Sequence, residues 1–123
     1  TMQVNESLEN YLEMILILQN KKGYARSIDI ATELGVTKPS VSHAMKLLRE
    51  NNYIVMKPDG AITLTDTGSE IAERMYERHK TLAHFLMSLG VDEETAFDDA
   101  CKIEHDISDQ SFEAICRYIK QQL

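Results

Sequence analysis

The sequence predicts a mainly α-helical chain with one small β-hairpin: a winged helix-turn-helix over residues 1–65, then a helical half over residues 66–123. Three features carry this expectation. The stretch SIDIATELGVTKPSVSHAMKLLREN, Ser27 to Asn51, divides into two apolar-periodic segments with only Gly35, Val36 and Thr37 between them, the spacing of a helix-turn-helix. Two β-rich runs around Lys57-Pro58-Asp59-Gly60 follow directly, where a wing belongs. Beyond Thr65 the apolar residues keep a helical period.

Taken in order, the first helix is expected from Asn5 to about Asn20, with Leu8, Tyr11, Leu12, Ile15 and Leu18 or Gln19 on its core face. From Tyr11 to Leu18 it is apolar almost all round, and Glu13 is the charge in that run. Such a carboxylate either reaches solvent at the edge of the stripe or has a partner. Asn10 lies three residues earlier, on the same side of the helix. Lys21, Lys22 and Gly23 end it.

Ser27 is expected to cap the second helix, with Asp29 favoured by the dipole in its first turn, an apolar stripe of Ile28, Ala31 and Leu34, and a left-handed stop at Gly35. Thr37 caps the third helix, which accepts Pro39 in its first turn without losing a needed hydrogen bond. Val41, Ala44 or Met45, and Leu48 are its buried side. Lys38, Pro39, Ser40, Ser42, His43, Lys46 and Arg49 then face outward, the short polar and cationic groups that can touch base edges and phosphates. The same pattern, taken alone, also fits a helical hairpin with a solvated polar face. Lys57 at the hairpin tip is placed to meet phosphate or minor groove.

In the second half, Thr65 caps a helix running to about Ser88 with Ile71, Met75, Leu82 and Leu86 inward. His79 lies on that stripe, either as a satisfied core histidine or as a ligand. Gly90 breaks the chain, and Asp92 caps a helix with Phe97, Ala100, Ile103 and Ile107 inward. Ser108 caps a last helix with Phe112, Ile115, Cys116 and Ile119 inward.

The net charge of −7 would argue against nucleic acid if it were evenly spread. It is not: residues 1–65 hold seven cations and seven acids, whereas residues 66–123 hold six and thirteen. Between residues 36 and 57 four cations stand against one acid, so the reading head is locally positive. With no run of eighteen apolar residues and no signal peptide, a soluble, cytoplasmic chain with no membrane partner is expected, and Cys101 and Cys116 are expected as free thiols.

Cys101, Glu104 and His105 stand at i, i+3 and i+4, so thiolate, carboxylate and imidazole can project from one side of one helical turn toward a divalent transition metal. Equally, they fit a small buried thiol beside two surface polar groups. A catalytic pairing of Glu104 or Cys101 with His105 is the weaker alternative, because no glycine-rich oxyanion or phosphate loop lies nearby, and no enzymatic activity is expected.

Together with the winged helix, the segments ERHKTLAHFL and VDEETAFDDACKIEHDISD, and within them RH-x-x-x-x-x-FL and C-x-x-E-H, resemble the iron- and manganese-dependent repressors of the diphtheria toxin repressor and manganese transport regulator family. The likeness covers nearly the whole chain and is to the two-domain form, without the SH3-like third domain of longer members. It implies an N-terminal domain that reads an inverted-repeat operator as a homodimer, a C-terminal helical metal-binding and dimerisation domain, and Fe(II) or Mn(II) as co-repressor for metal homeostasis genes. By this resemblance Asn10, Glu13, His79, Cys101, Glu104 and His105 fall on metal positions, and Arg26, Thr37, Pro39, Ser40, Ser42 and His43 in or near the DNA-contacting surface. Asn10 stands where the manganese branch has an acid and the iron branch a methionine, and Cys101 matches the iron branch. Ala83 and Phe97 replace the glutamate and histidine of an ancillary site. A winged-helix regulator not controlled by metal, and a metal-dependent hydrolase or metal-storage domain, are the other functions weighed.

Overall fold

A computed structural model describes residues 6–121, which hold six helices and one two-stranded sheet. The order is α1 (Glu6–Lys22), α2 (Ser27–Leu34), α3 (Lys38–Glu50), β1 (Ile54–Met56), β2 (Ile62–Leu64), α4 (Asp66–Ser88), α5 (Glu93–Ile103) and α6 (Asp109–Gln121). The expected start of the first helix at Asn5 lies outside the described residues. Two compact units divide within α4, one reaching to Arg74 and the other beginning at Met75.

In the first unit α1 packs on α2, α3 and β2, while α2 packs on α3 and α3 on β1. Leu12, Ile15, Ile30, Val41, Leu48, Ile54 and Ile62 are fully enclosed, and each such aliphatic side chain stabilises the fold by about 1.5–3 kcal/mol relative to exposure. Thr37 caps α3 as its sequence predicts, its hydroxyl oxygen accepting from the Ser40 N–H at 3.2 Å with Pro39 in the first turn. Gly35 closes α2 at φ 65°, and its N–H donates back to Ala31.

The start of α2 departs from expectation. Ser27 is already helical, and the cap position belongs to Arg26, at φ −132° and ψ 156°, whose side chain makes no capping bond. A distant contact is responsible. The Ile62 N–H donates to the Ala25 carbonyl at 2.8 Å, which bridges this segment to the wing and keeps it extended; the Arg26 carbonyl then accepts the first helical bond from Ile30 at 3.1 Å. The buried face of α2 differs too: Ile30 and Ala31 are buried and Leu34 half-buried, whereas Ile28 is 56% exposed. Both Ile28-Ala31-Leu34 and Ile30-Leu34 are helical spacings, and packing against α1 and α3 selects the second.

After α3 the chain turns through Asn52 at φ 64°, a left-handed conformation that asparagine tolerates. The strands pair antiparallel, with Ile54 opposite Leu64, Val55 opposite Thr63 and Met56 opposite Ile62. Pro58 takes the second position of the wing turn, where its fixed φ suits: the Gly60 N–H donates to the Lys57 carbonyl at 2.9 Å, and the Lys57 N–H donates to Ala61 at 2.8 Å. Gly60 supplies the left-handed residue at φ 89°. Thr65 then caps α4, accepting from the Gly68 N–H at 3.2 Å while its hydroxyl donates to the Asn52 carbonyl at 2.7 Å. One side chain thereby joins the end of the wing to the turn before it.

The second unit is built on Leu82, Ala83, Ala96 and Ala100, with Leu86, Phe97, Ile103, Ile107, Phe112 and Ile115 packed around them. On α5 the fully buried residues are the alanines; Phe97, expected inward, is half-buried, because alanine permits the closer helix approach. Asp92 caps α5 by accepting from the Thr95 N–H at 3.1 Å, and that bond holds its carboxyl below the ordinary carboxylate value. The cap therefore contributes fully above the ordinary carboxylate pKa and is lost as pH falls through the lowered one. Arg78 fixes the start of α6: its guanidinium donates to Asp109 at 3.0 Å and to the Ile107 carbonyl at 2.9 Å and lies 4.8 Å from the Phe112 ring centre. Ser108 caps α6, accepting from the Ser111 N–H at 3.1 Å. Of the described α6 residues none is fully buried, and Phe112, Ile115, Cys116 and Ile119 are half-exposed. Cys101 and Cys116 are free thiols. No helix among the described residues is long and apolar enough to cross a membrane.

Candidate functional site

Two sets of residues carry chemistry, one in each unit. In the first, α3 presents its polar side outward. Lys38, Pro39, Ser40, Ser42, His43, Lys46 and Arg49 are all exposed, and its first turn holds no acid. Thr37 is exposed at the cap, but its hydroxyl is engaged within the chain, accepting from the Ser40 N–H and donating to the Ser40 hydroxyl at 2.9 Å. Lys57 is exposed at the wing tip. Arg26 is exposed beside the wing, its guanidinium 5.1 Å from the Tyr24 ring centre and 3.9 Å from Asp59. The roles of Tyr24 and Asp59 were not readable from the sequence, since the Ala25–Ile62 bridge that draws them to Arg26 spans distant positions. On α1 of the same unit Glu13 is buried and Asn10 half-buried. Of the two fates open to Glu13, the structure selects enclosure.

In the second unit the side chain of Glu104 is wholly enclosed and faces two imidazoles. Its Oε2 lies 3.8 Å from Nδ1 of His79, and its Oε1 lies 3.2 Å from Nε2 of His105. His79 comes from α4 and its Nε2 meets the Phe97 carbonyl at 3.0 Å. A carbonyl only accepts, so this nitrogen carries the hydrogen, and in the neutral ring Nδ1 keeps its lone pair toward Glu104. The Phe97 ring lies beside the His79 ring with centres 5.5 Å apart. Sequence alone gave no sign of the Phe97 carbonyl, because any residue supplies one.

The C-x-x-E-H turn differs in detail from three side chains on one helix. Helix α5 ends at Ile103; Glu104 is its C-cap, still helical at φ −58° and ψ −27°, with its N–H donating to Ala100. His105 lies beyond the helix, in the turn closed by the Asp106 and Ile107 N–H groups on the Ile103 carbonyl. Leaving the helical path there is what aims its imidazole at Glu104. Cys101 sits one turn before Glu104 and is half-buried.

A carboxylate oxygen and an imidazole nitrogen set this close together are donors of the kind that suit first-row transition metals. The donor set therefore fits such an ion. The carbonyl behind His79 supplies the outer support that fixes the tautomer and direction of a metal-binding histidine.

Fold and site together define the class: a winged-helix DNA-binding regulator whose helical half holds metal-binding chemistry. The model described as iron dependent repressor, N-terminal DNA binding domain, matches residues 3–62, and that described as iron dependent repressor, metal binding and dimerisation domain, matches residues 65–122. The chain belongs to the iron dependent repressor family. It is 37% identical over 114 residues to the HTH-type transcriptional regulator MntR of Lysinibacillus sphaericus, covering 93% of this chain and 82% of that protein. To MntR of Bacillus subtilis it is 38% identical over 109 residues, covering 89% and 77%. Among solved structures it is similar to T. acidophilum IdeR, with a TM-score of 0.82, 29% identity, and 98% of this chain covered. It is also similar to a manganese-dependent transcriptional repressor in complex with manganese, with a TM-score of 0.84, 29% identity, and 92% covered. The chain spans 56% and 52% of those two solved chains. It is a metal-dependent transcriptional repressor by family.

Proposed function

We propose that this protein is a repressor for which Fe(II) or Mn(II) is the co-repressor, and that as a homodimer it binds an inverted-repeat operator controlling metal homeostasis genes. The carrying observation is the enclosed carboxylate of Glu104 between His79 and His105, in a chain whose α3 presents a cationic and hydroxyl face. A divalent cation, when bound, supplies the positive charge that lets these donors converge. Glu104 and the two histidines offer an oxygen and imidazole nitrogens, and Cys101 a thiolate. Asn10 and Glu13 of α1 extend the set by family resemblance; for Glu13, burial within the otherwise apolar run from Tyr11 to Leu18 supports the assignment.

By that resemblance, ligands from α1 as well as from α4 and α5 would make the placement of the DNA-reading unit depend on ligation. In a dimer that placement sets the separation of two recognition helices, which must match major grooves about one helical turn apart. A coupling of about 1–3 kcal/mol gives about 5- to 150-fold tighter operator binding, and operator must tighten the metal equally. The thiolate of Cys101 disfavours Mg(II) and Ca(II) and leans toward Fe(II), whereas the similar solved repressor in complex with manganese points to Mn(II).

The decisive experiment is anaerobic fluorescence anisotropy with an inverted-repeat duplex selected from random DNA, first with chelator and then with Fe(II), Mn(II) and Zn(II) titrated separately. Binding that requires metal supports the co-repressor function, and the ranking of Fe(II) and Mn(II) identifies the signal. Equal binding with chelator and with every ion overturns it in favour of a winged-helix regulator not controlled by metal.

Two substitutions bear on the parts. Cys101→Ala is expected to weaken metal-dependent DNA binding about tenfold while circular dichroism stays that of the parent; undiminished metal dependence would take Cys101 out of the site. Lys46→Ala is expected to weaken binding evenly across DNA sequences, with a salt slope shallower by about 0.9. A changed preference at one base pair would instead make Lys46 a specificity residue.

A further inference from the structure

The wing carries an acid where a DNA-reading surface gains from cations. Asp59 lies in the turn between β1 and β2, and its two carboxylate oxygens do different things. Oδ1 accepts from the Ala61 N–H at 3.0 Å and shapes the turn, whereas Oδ2 stands 3.9 Å from the Arg26 guanidinium. Arg26 is laid over the Tyr24 ring at 5.1 Å, next to the Ala25–Ile62 bridge that joins its segment to the wing. Its guanidinium is thus held between an aromatic face and a carboxylate where wing and helix-turn-helix meet. The two side chains are 46% and 65% exposed, so the pair is a weak one that another anion can replace.

The geometry points to Asp59 as a stand-in for a DNA phosphate, holding Arg26 in the free protein and giving it up to the sugar-phosphate backbone when a duplex docks. This rests on the DNA-binding function proposed above. Arg26 arrives oriented by Tyr24 and Asp59, but its phosphate contact breaks an existing pair and leaves the Asp59 charge beside the DNA. Asp59 thereby lowers the affinity of the cationic face for every duplex, which leaves recognition to depend more on the residues of α3.

Asp59→Asn separates the two jobs, because asparagine keeps an oxygen that accepts from Ala61 and loses the charge. The measurement is anisotropy of a labelled mixed-sequence duplex with the full chain and saturating Mn(II) over a salt series. The expected result is about two- to fivefold tighter binding near physiological salt, with a log–log salt slope steeper by about 0.9, because the Asp59 charge no longer cancels the one that Arg26 brings to the phosphates. In an Arg26→Ala background the same change is expected to give no gain. Unchanged affinity and slope in Asp59→Asn would overturn the exchange, as would an equal gain without Arg26, which would leave Asp59 a merely repelling charge. In both cases a parent chain that still binds DNA leaves the proposed function standing. A parent chain that binds no duplex at any salt overturns that function and the exchange with it.

Discussion

Replacing Glu104 with glutamine is expected to leave operator binding at its metal-free level however much Mn(II) or Fe(II) is added. The side chain is enclosed, with one oxygen 3.8 Å from Nδ1 of His79 and the other 3.2 Å from Nε2 of His105. Glutamine keeps the shape but removes the negative charge and turns one end into a donor, so the carboxylate facing the two imidazoles is lost and the site offsets one unit less of cationic charge. The whole gain of about 5- to 150-fold expected from metal is then lost. Anisotropy with and without metal reads the loss, and equilibrium dialysis of the ion against the same variant shows whether binding or its transmission failed. A variant that still tightens on DNA with added metal would place the controlling ion elsewhere.

Gly68→Ala is expected to destabilise the N-terminal unit by about 3 kcal/mol, the upper end of what overpacking usually costs. Gly68 lies in the first turn of α4, buried against the segment that leads into β1, and a Cβ built there falls on the carbonyl oxygen of Tyr53. That carbonyl is committed, since it accepts from the Thr65 N–H at 3.1 Å. Relief therefore needs a backbone shift rather than a rotamer change, at the point where Thr65 also holds Asn52. Thermal unfolding is expected to move down by roughly 10–15 °C. A midpoint within a degree or two of the parent would mean that α4 and the wing part at little cost.

The helix-turn-helix and the wing were legible because their signals are local: the Thr37 cap, Pro39 in the first turn, Gly35 as the stop and the Pro-Asp-Gly turn all act within a few residues. The same locality explains the failures. Ser27 has the right chemistry for a cap, yet the Ala25–Ile62 bridge starts α2 one residue earlier. Ile28 and Ile30 fit helical spacing equally, and only the neighbouring helices distinguish them. At the candidate metal centre, residue types at the right spacing made Glu104 and His105 candidates beside Cys101, and the fold brings the two side chains together. The end of α5 before His105, the carbonyl that orients His79 and the pair formed by Arg26 and Asp59 belong to the folded chain and left no mark in the pattern.

Helix α6 closes with an apolar side that the chain itself covers only in part: Phe112, Ile115 and Ile119 are half-exposed and Tyr118 is open to water beyond its edge-on contact with Phe85. The family's C-terminal domain is a dimerisation domain, and a second copy is what would supply the remaining cover. The order of the last helix is then a matter of dilution as much as of sequence. With such cover, the amount of repressor in a cell would help set how much of each chain is fully folded.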